Sequence, residues 1–564
     1  MSKKVVVIGG VAGGASTAAR VRRLDEQAEI VMLEKGPHVS FSNCSLPFHL
    51  SGIVPKSEKL LMMDPVQFKK KYNIEARVFQ EAVNIDKARK VVEIYDHAKQ
   101  QTIEESYDTL VLSPGAKPIV PQLPGVESNH VFTVRNVVDI ERLQQYVTRD
   151  GVQNIAVIGG GFIGVEVAEN LRLAGKDVAL IEFAPQVMAP FDDDMVQIIH
   201  KEMHDKGVQL IVEDGLASIE QQTVTLQSGK VVKADAVVLA IGVKPDTTLA
   251  EKAGLKIGET GAIAVDEHYV TSDPSIYAVG DAIEVHHKIL NEKTRLALAG
   301  PAQKQARIAA DHMYGIENRH RGVIGSSSIK IFDFNCATTG INERVAKAAG
   351  FDVDSVYVLS ADKVGLMPNS NPMHFKLVYD KKTTKVLGAQ AIGKGNVDKR
   401  IDVVATLISF DGTVDDLKDL ELSYSPMYGT AKDVVNMAAL VADNLLAGRF
   451  EQVHVSDVRH LVESGAYFID VREVGELKNG MIKGAHNIPL SELRDRLDEI
   501  PKDVPVYVYC RSAQRSYNAT VALKGSGFTN VKNVAGSFLG ISLHEYFRDM
   551  TTGREPIVTG YNFK

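Results

Sequence analysis

The chain of 564 residues is 45% hydrophobic and 24% charged, with a formal net charge of -7. At about 100–200 residues per domain this length predicts three to five domains, each with its own core. The acidic balance without a long basic block argues against nucleic acid and an anionic membrane surface as partners; three cysteines, Cys44, Cys336 and Cys510, are too few and too scattered for a disulfide framework, so a reducing, cytoplasmic setting is expected.

The opening MSKKVVVIGG has the lysines of a signal peptide, but its apolar run Val5–Ile8 stops at once in glycine and reads as a buried strand. No run of about 18 apolar residues follows, so no membrane span is expected. KKVVVIGGVAGGASTAARVRRLD is a strand, a glycine-rich turn and a helix. Gly9, Gly10, Gly13 and Gly14 let backbone approach a pyrophosphate, and the helix behind them directs free N–H groups at that anion. EIVMLEK is a second strand ending in Glu34, a carboxylate about 20 residues past the turn and suited to ribose hydroxyls. Val11 stands where GxGxxG has its second glycine, so this half alone leaves a dinucleotide site and a structural turn both open.

SFSNCSLPFHL then offers Cys44, with no other cysteine near it. YDTLVLSPGAKPIVPQLPGV is an apolar strand and a Pro/Gly crossing. NIAVIGGGFIGVEVAENLRLAGKDVALIE holds Gly159-x-Gly161-x-x-Gly164 between strand and helix, and a second strand ending in Glu182, which completes the dinucleotide fingerprint. A carboxylate at Glu182 repels a 2'-phosphate and favours NADH over NADPH. TSDPSIYAVGDAIE is another strand, ending in Gly280 and Asp281. The alternation around Cys336 in DFNCATTG predicts a core position in a strand. From Gln452 the chain restarts with strands alternating with amphipathic helices. PVYVYC is a buried strand presenting Cys510, and RSAQRS turns into a helix beginning near Arg515. Backbone N–H groups of that loop, with Arg511 and Arg515, should lower the thiol pKa and hold an anionic sulfur.

On its four ordered motifs, about residues 1–445 resemble the pyridine-nucleotide–disulfide oxidoreductase flavoproteins. That resemblance implies an α/β chain with two Rossmann-like dinucleotide-binding domains and an α+β dimerisation domain, ahead of the C-terminal α/β domain. The implied boundaries are 1–115 for the first part of the FAD-binding domain, 116–244 for the NAD-binding domain and 245–325 for the second FAD part. Dimerisation follows over 326–448, and the C-terminal α/β domain occupies 452–552. FAD would lie on Gly9, Gly10, Ala12, Gly13, Gly14, Glu34, Lys35, Asn43 and Val83, with Ser113, Gly115, Gly280, Asp281 and Ala299. NADH would lie on Gly159, Gly160, Gly161, Phe162, Ile163, Gly164, Glu182 and Gly242.

Members of that family that form an internal disulfide carry CxxxxC; counting from Cys44, the partner position is His49. Cys44 must therefore cycle against an outside sulfur or oxidant, as a sulfenic acid or as a mixed disulfide with a small thiol. The oxidase and peroxidase relatives place a histidine in the first turn, where this chain has Ala12. The stretches GGVAGGA, RRLD and SFSNCSLP instead resemble the coenzyme A disulfide reductases, which implies a mixed disulfide with coenzyme A. Arg20, Arg23, Ser40, Asn43, Cys44 and Lys71 match the coenzyme A contacts, within a basic rim that also takes in Arg22, Lys69 and Lys70. Tyr424 and Tyr428 match a stretch that reaches the partner's site in the homodimer and can supply a proton. Leu366 and Met367 stand where those reductases can carry a tyrosine pair, so one of two phenols is missing.

FIDVRE, GAHNIP and the loop from Cys510 through Arg511, Ser512, Ala513, Gln514, Arg515 and Ser516 resemble a single-domain rhodanese, which moves sulfane sulfur as a cysteine persulfide. Asp470 and Arg472 would support the loop; Met481 departs from a commoner histidine. A thiol-cycling flavoprotein joined to a sulfane-sulfur carrier implies a persulfide, polysulfide or coenzyme A persulfide substrate, reduced with release of hydrogen sulfide. Coenzyme A disulfide reductase is the alternative, followed by an NADH oxidase and a redox sensor. No metal site is read.

Overall fold

The computed structural model describes residues 2–318 and 321–563. The chain divides into two compact units, Met1–Ala184 with Ile211–Val323, and Pro185–Leu210 with Ile324–Lys564.

The first unit holds two parallel sheets. In one, the strand order is Ile276–Ala278, Thr109–Leu112, Lys4–Ile8, Glu29–Leu33, Glu75–Arg77. Lys4–Ile8 lies at the centre, with Val5 opposite Ile30 on one side and Thr109 on the other. Val5, Val6 and Val7 are fully buried, which is why the strand reads as an unbroken apolar run and not as an alternation. The second sheet pairs Asn154–Ile158 with Asp177–Ile181 and with Ala236–Leu239, all parallel, and Ala236–Leu239 with Val131–Phe132. It is threaded between Thr109–Leu112 and Ile276–Ala278 of the first. A Cβ on Gly14 would lie 1.8 Å from Gly9 O, and one on Gly164 the same distance from Gly159 O. Those glycines let the helices Ala12–Leu24 and Phe162–Leu173 sit directly on their strands.

Arg22 departs from the expected basic rim. It is only 5% exposed, and its guanidinium donates to the carbonyls of Asp25, Glu26, Ala28, Tyr72 and Asn73. A buried guanidinium is held where all its donors find acceptors, and this one closes the chain behind the first helix.

The second unit contains an antiparallel sheet in the order Ser327–Ile331, Phe334–Gly340, Val386–Gly393, Pro372–Asp380, Val353–Ala361. Cys336 is fully buried there, opposite Ile329 and Ile392, as the alternation predicts. A parallel sheet follows, ordered Glu451–Val453, Val531–Val534, Val506–Tyr509, Tyr467–Asp470, His486–Asn487.

The helix Asp193–Asp205 joins both sheets' layers through buried charge. Lys376 Nζ lies 2.9 Å from Asp194, 3.0 Å from Glu343 and 3.3 Å from Asp192. His544 Nε2 lies 3.0 Å from Asp193. Removing one partner of a buried pair costs about 3–5 kcal/mol, against about 0–1 kcal/mol for a surface pair. The Lys376 cluster therefore outweighs the many exposed pairs in fixing this helix. Among the described residues no helix is long and apolar enough to cross a membrane.

Candidate active sites

The first glycine turn lies at the carboxyl ends of the parallel strands. Gly10 N–H donates to Glu34 Oε2 at 3.1 Å and Gly36 N–H to Glu34 Oε1 at 2.9 Å, so the carboxylate is held across the turn. The helix opening at Ala12 has no side-chain cap and no acidic residue in its first turn, which leaves its N–H groups for an anion. Gly13 and Gly14 are buried beneath it, and Lys35 is exposed beside Glu34. Ser113 N–H donates to Ile8 O at 2.8 Å. Gly280 has φ 83° and its N–H reaches Gln305 Oε1 at 2.8 Å. Asp281 pairs with Arg135 at 3.3 Å, and the same Arg135 Nη2 would be 2.6 Å from a Cβ on Gly115. Ala299 is exposed as the first residue of Ala299–Met313, another helix without a side-chain cap. Val83 is placed on Gln80–Asp86, at its register shift between Ala82 and Asn84.

The second turn repeats this construction. Gly160 N–H donates to Glu182 Oε2 at 2.5 Å and Ala184 N–H to Glu182 Oε1 at 2.7 Å. The helix Phe162–Leu173 starts after Gly161 with no side-chain cap, and a Cβ on Gly161 would meet nothing within 4 Å. That space is open above the helix end. Ile163 is exposed, and Gly242, at φ 114°, accepts from Ile119 N–H at 3.0 Å.

Cys44 sits in the single turn Asn43–Ser45 and is exposed. Ser40 N–H donates to Gly10 O at 2.7 Å, which brings the cysteine segment to the first glycine turn. Asn43 Oδ1 is buried with no protein partner, an acceptor left for a ligand. His49, at the position of the missing second cysteine, is bonded through Nδ1 to Val54 O at 2.8 Å. The helix Pro47–Leu50 packs on Phe162–Leu173, where Ser51 Oγ donates to Asn170 Oδ1 at 2.6 Å. This contact carries Glu166 toward the thiol. Partial desolvation raises the Cys44 pKa, and the charges of Glu166 and Asp281 add to that shift. Burial, reinforced by Glu169, pushes the Glu166 carboxyl up to about 7. Its protonated form is favoured by folding, so the stability it contributes falls as pH rises from the ordinary carboxylate range through 7.

Above that pH the ionised Glu166 opposes the Cys44 thiolate; below it the opposition fades. Glu166→Gln in the reduced protein is expected to speed iodoacetamide alkylation of Cys44 roughly threefold at about pH 8, and not at about pH 5.5. An equal effect at both pH values would rule out this charge coupling.

The residues matched to coenzyme A contacts divide. Arg20 is paired with buried Asp311 at 2.5 Å, Arg23 is exposed, and Lys71 is exposed on the helix Pro65–Tyr72. Lys69 is bonded to Asn73 at 2.7 Å. In the second unit, Tyr428 is 67% exposed and Leu366 89%, with Tyr424 and Met427 also exposed. Arg400 donates to Tyr428 O at 3.2 Å and pairs with Asp433, which fixes the backbone of the tyrosine segment.

Cys510 follows the strand Val506–Tyr509 and is only 1% exposed. The helix behind it starts at Gln514, next to Arg515 as expected, with Ala513 at a left-handed φ of 73° as its N-cap. Arg515 forks onto Glu476 at 2.7 and 2.9 Å, so its charge is shared with a carboxylate as well as facing the loop. Asp470 and Arg472 form a fully buried pair, and Arg472 lies 4.2 Å over the Phe538 ring. Met481 N–H donates to Thr559 Oγ1 at 3.0 Å, on the strand bridge Ile482 to Val558. Cys510 N–H donates to Ser537 Oγ at 3.1 Å.

Arg135, Glu166, Glu476 and Ser537 were not singled out from the sequence. Only Glu166 had a signal there, two residues past Gly164 on a recognised helix; the others are brought in from remote segments. Among the described residues no group of three or more His, Cys, Asp or Glu side chains is placed to hold a metal ion.

Comparison with known proteins gives three family matches. Residues 3–306 match pyridine nucleotide-disulphide oxidoreductase, residues 326–433 its dimerisation domain, and residues 454–544 the rhodanese-like domain. A coenzyme A disulfide reductase of Staphylococcus epidermidis is 34% identical over 435 residues, covering 77% of this chain and 98% of that protein. The crystal structure of reduced Bacillus anthracis CoADR-RHD is 45% identical with a TM-score of 0.93, covering 96% of this chain and 98% of that one. The structure of a NAD-dependent persulfide reductase from A. fulgidus is 37% identical with a TM-score of 0.90, covering 95% of this chain and 99% of that one.

Proposed function

Because the chain belongs to the pyridine nucleotide-disulphide oxidoreductase family and carries a rhodanese-like domain, we propose that it is an NADH-dependent persulfide or polysulfide reductase that releases hydrogen sulfide. The observation that carries this reading is the pairing, in one chain, of an unpartnered exposed Cys44 with Cys510 in a rhodanese-like loop. Two nucleotide turns supply reducing power to the first, and the second suits carriage of sulfane sulfur.

The residues of the first turn fit FAD. Gly9, Gly10, Gly13 and Gly14 would admit its pyrophosphate, Glu34 its ribose, and Asp281 its ribityl and phosphate region. Asn43 Oδ1 and the bare helix end at Ala299 offer further acceptor and donor positions. Bound flavin would supply a two-electron relay between nicotinamide and sulfur. Gly159, Gly161 and Gly164 would receive NADH, with Glu182 already oriented by two backbone N–H groups. That carboxylate would reject a 2'-phosphate.

Cys44 is the nucleophile. Its thiolate attacks the inner sulfur of a persulfide RSSH; the new Cys44–S bond forms, the S–S bond breaks, and hydrosulfide leaves with the electron pair. Two electrons and two protons return the resulting mixed disulfide to thiols. The balance is RSSH + NADH + H⁺ → RSH + H₂S + NAD⁺. Coenzyme A fits as the R group: Ser40, Asn43, Arg23 and Lys71 would hold it, and Arg20 would share its charge between a phosphate and Asp311. In a homodimer the exposed Tyr424 and Tyr428 would be covered by the partner, and Tyr424 or Tyr428 would protonate the thiolate released when the mixed disulfide is reduced. Cys510 would collect sulfane sulfur from donors. Few and scattered cysteines suit a reducing, cytoplasmic setting.

A coenzyme A disulfide reductase is the second reading, favoured by the Staphylococcus relative and opposed by Leu366 and Met367 in place of a phenol. The purified dimer should therefore be offered coenzyme A persulfide and coenzyme A disulfide in parallel, with NADH oxidation and sulfide followed together. Preference for the persulfide by about tenfold or more in kcat/KM is expected. Equal or reversed preference would transfer the assignment to the disulfide.

A further inference from the structure

Ser537 is fully buried, and its backbone lies in the left-handed region at φ 49°, directly after Gly536 at 73°. Glycine adopts that region freely, whereas a residue with a Cβ is disfavoured there. Backbone geometry alone would prefer glycine at this position, which turns attention to the hydroxyl.

Ser537 Oγ accepts the Cys510 N–H at 3.1 Å. Its own proton has three acceptors within reach: Val534 O at 3.3 Å, Ser516 Oγ at 3.3 Å and Cys510 Sγ at 3.9 Å. Ser516 Oγ in turn reaches Ala513 O at 3.2 Å. Phe538 N–H donates to Cys510 O at 3.0 Å and Leu539 N–H to Arg511 O at 3.1 Å, so the serine and the cysteine are held in fixed register. A hydrogen bond to an anion is roughly twice as strong as one between neutral groups. Val534 O and Ser516 Oγ, both at 3.3 Å, are the nearer acceptors while the sulfur is uncharged, and the sulfur becomes the stronger one when it carries charge.

We propose that Ser537 is a catalytic residue of sulfur transfer, whose hydroxyl turns from Val534 O or Ser516 Oγ to Cys510 Sγ as that atom becomes a thiolate. The proposal rests on Cys510 as the sulfane-sulfur carrier. In loading from thiosulfate, the Cys510 thiolate attacks the sulfane sulfur; an S–S bond forms, and sulfite leaves with the electron pair of the broken bond. In unloading, cyanide attacks the outer sulfur of the Cys510 persulfide. A C–S bond forms, the S–S bond breaks, and Sγ keeps its electron pair. Ser537 retains its proton throughout and steadies the charge arriving on Sγ. Unloading, where that charge is created, is therefore the step it accelerates.

The test uses the full-length protein loaded with thiosulfate, desalted, and mixed with excess cyanide for single-turnover thiocyanate formation. Ser537→Ala and Ser537→Gly should each slow the maximal rate about tenfold or more, with the half-saturating cyanide concentration unchanged. Ser537→Gly relieves the backbone but takes the acceptor from the buried Cys510 N–H, so the melting temperature of both variants is measured to show that they are folded. A purely structural serine predicts the opposite, a glycine variant as fast as the parent. If either folded variant unloads at the parental rate, the proposal is wrong. Cys510→Ala serves as the separate check: thiocyanate still formed from it would remove Cys510 as carrier, whatever Ser537 does.

Discussion

Cys44→Ser is expected to lower NADH-driven sulfide release by about a thousandfold or more, with sulfur transfer from thiosulfate to cyanide unchanged. A serine hydroxyl does not ionise near neutrality, so the attack on a persulfide sulfur loses its nucleophile. No nearby thiol can substitute: His49 holds the place of a second cysteine and is bonded to Val54 O, while Cys336 is fully buried between strands. Two measurements check this. Sulfide release reports turnover, and anaerobic dithionite titration reports the electron store. The parent should take up more than the two electrons of a bound flavin, and the variant no more than those two. A serine variant that released sulfide at the parental rate would defeat the mechanism at its first step.

Cys510→Ser should produce the reverse pattern. Thiosulfate:cyanide sulfur transfer should fall by about a thousandfold or more, because the persulfide has no sulfur to form on. NADH-driven reduction of a soluble persulfide should fall only about two- to fivefold, since Cys44 and both glycine turns are untouched. The burial of Cys510, 1% exposed, makes the contrast sharper: it reacts only with what its own loop admits. Parental sulfurtransferase activity in the serine variant would place the carrier elsewhere. A complete loss of persulfide reduction would mean that all sulfur passes through Cys510 before it reaches Cys44.

Much of this architecture was legible because local rules and tertiary needs agree. Val5–Ile8 reads as a buried strand since both its faces are covered, and Gly9 and Gly14 after it are placed by backbone contacts shorter than any Cβ allows. Glu34 and Glu182 were legible for the same reason: strand, turn, helix and strand have near-constant lengths, so a carboxylate at that spacing must return to the turn. The two hydrogen-bonded carboxylates confirm that geometry in the structure. Arg22 was misread because RVRR looks like an exposed basic face. Two of its carbonyl partners, Tyr72 and Asn73, come from a helix end far along the chain. The carboxylate that shares the charge of Arg515, Glu476, is 39 residues upstream, and only the folded chain brings it within 2.7 Å.

The order of residues by itself determined where the candidate chemistry lies: two glycine turns that open uncapped helices, a thiol without a second cysteine near it and another thiol at a strand end. Those properties depend on spacing within single strand–turn–helix units, where covalent geometry leaves few alternatives. Only the tertiary structure decided how each group is tuned. Glu166 within electrostatic reach of Cys44, Arg135 beside Asp281, Glu476 on Arg515 and Ser537 under Cys510 all bring together segments remote in the chain. Charge and hydrogen bonding act through space over a few ångströms, and which segments come that close is set by how the layers pack.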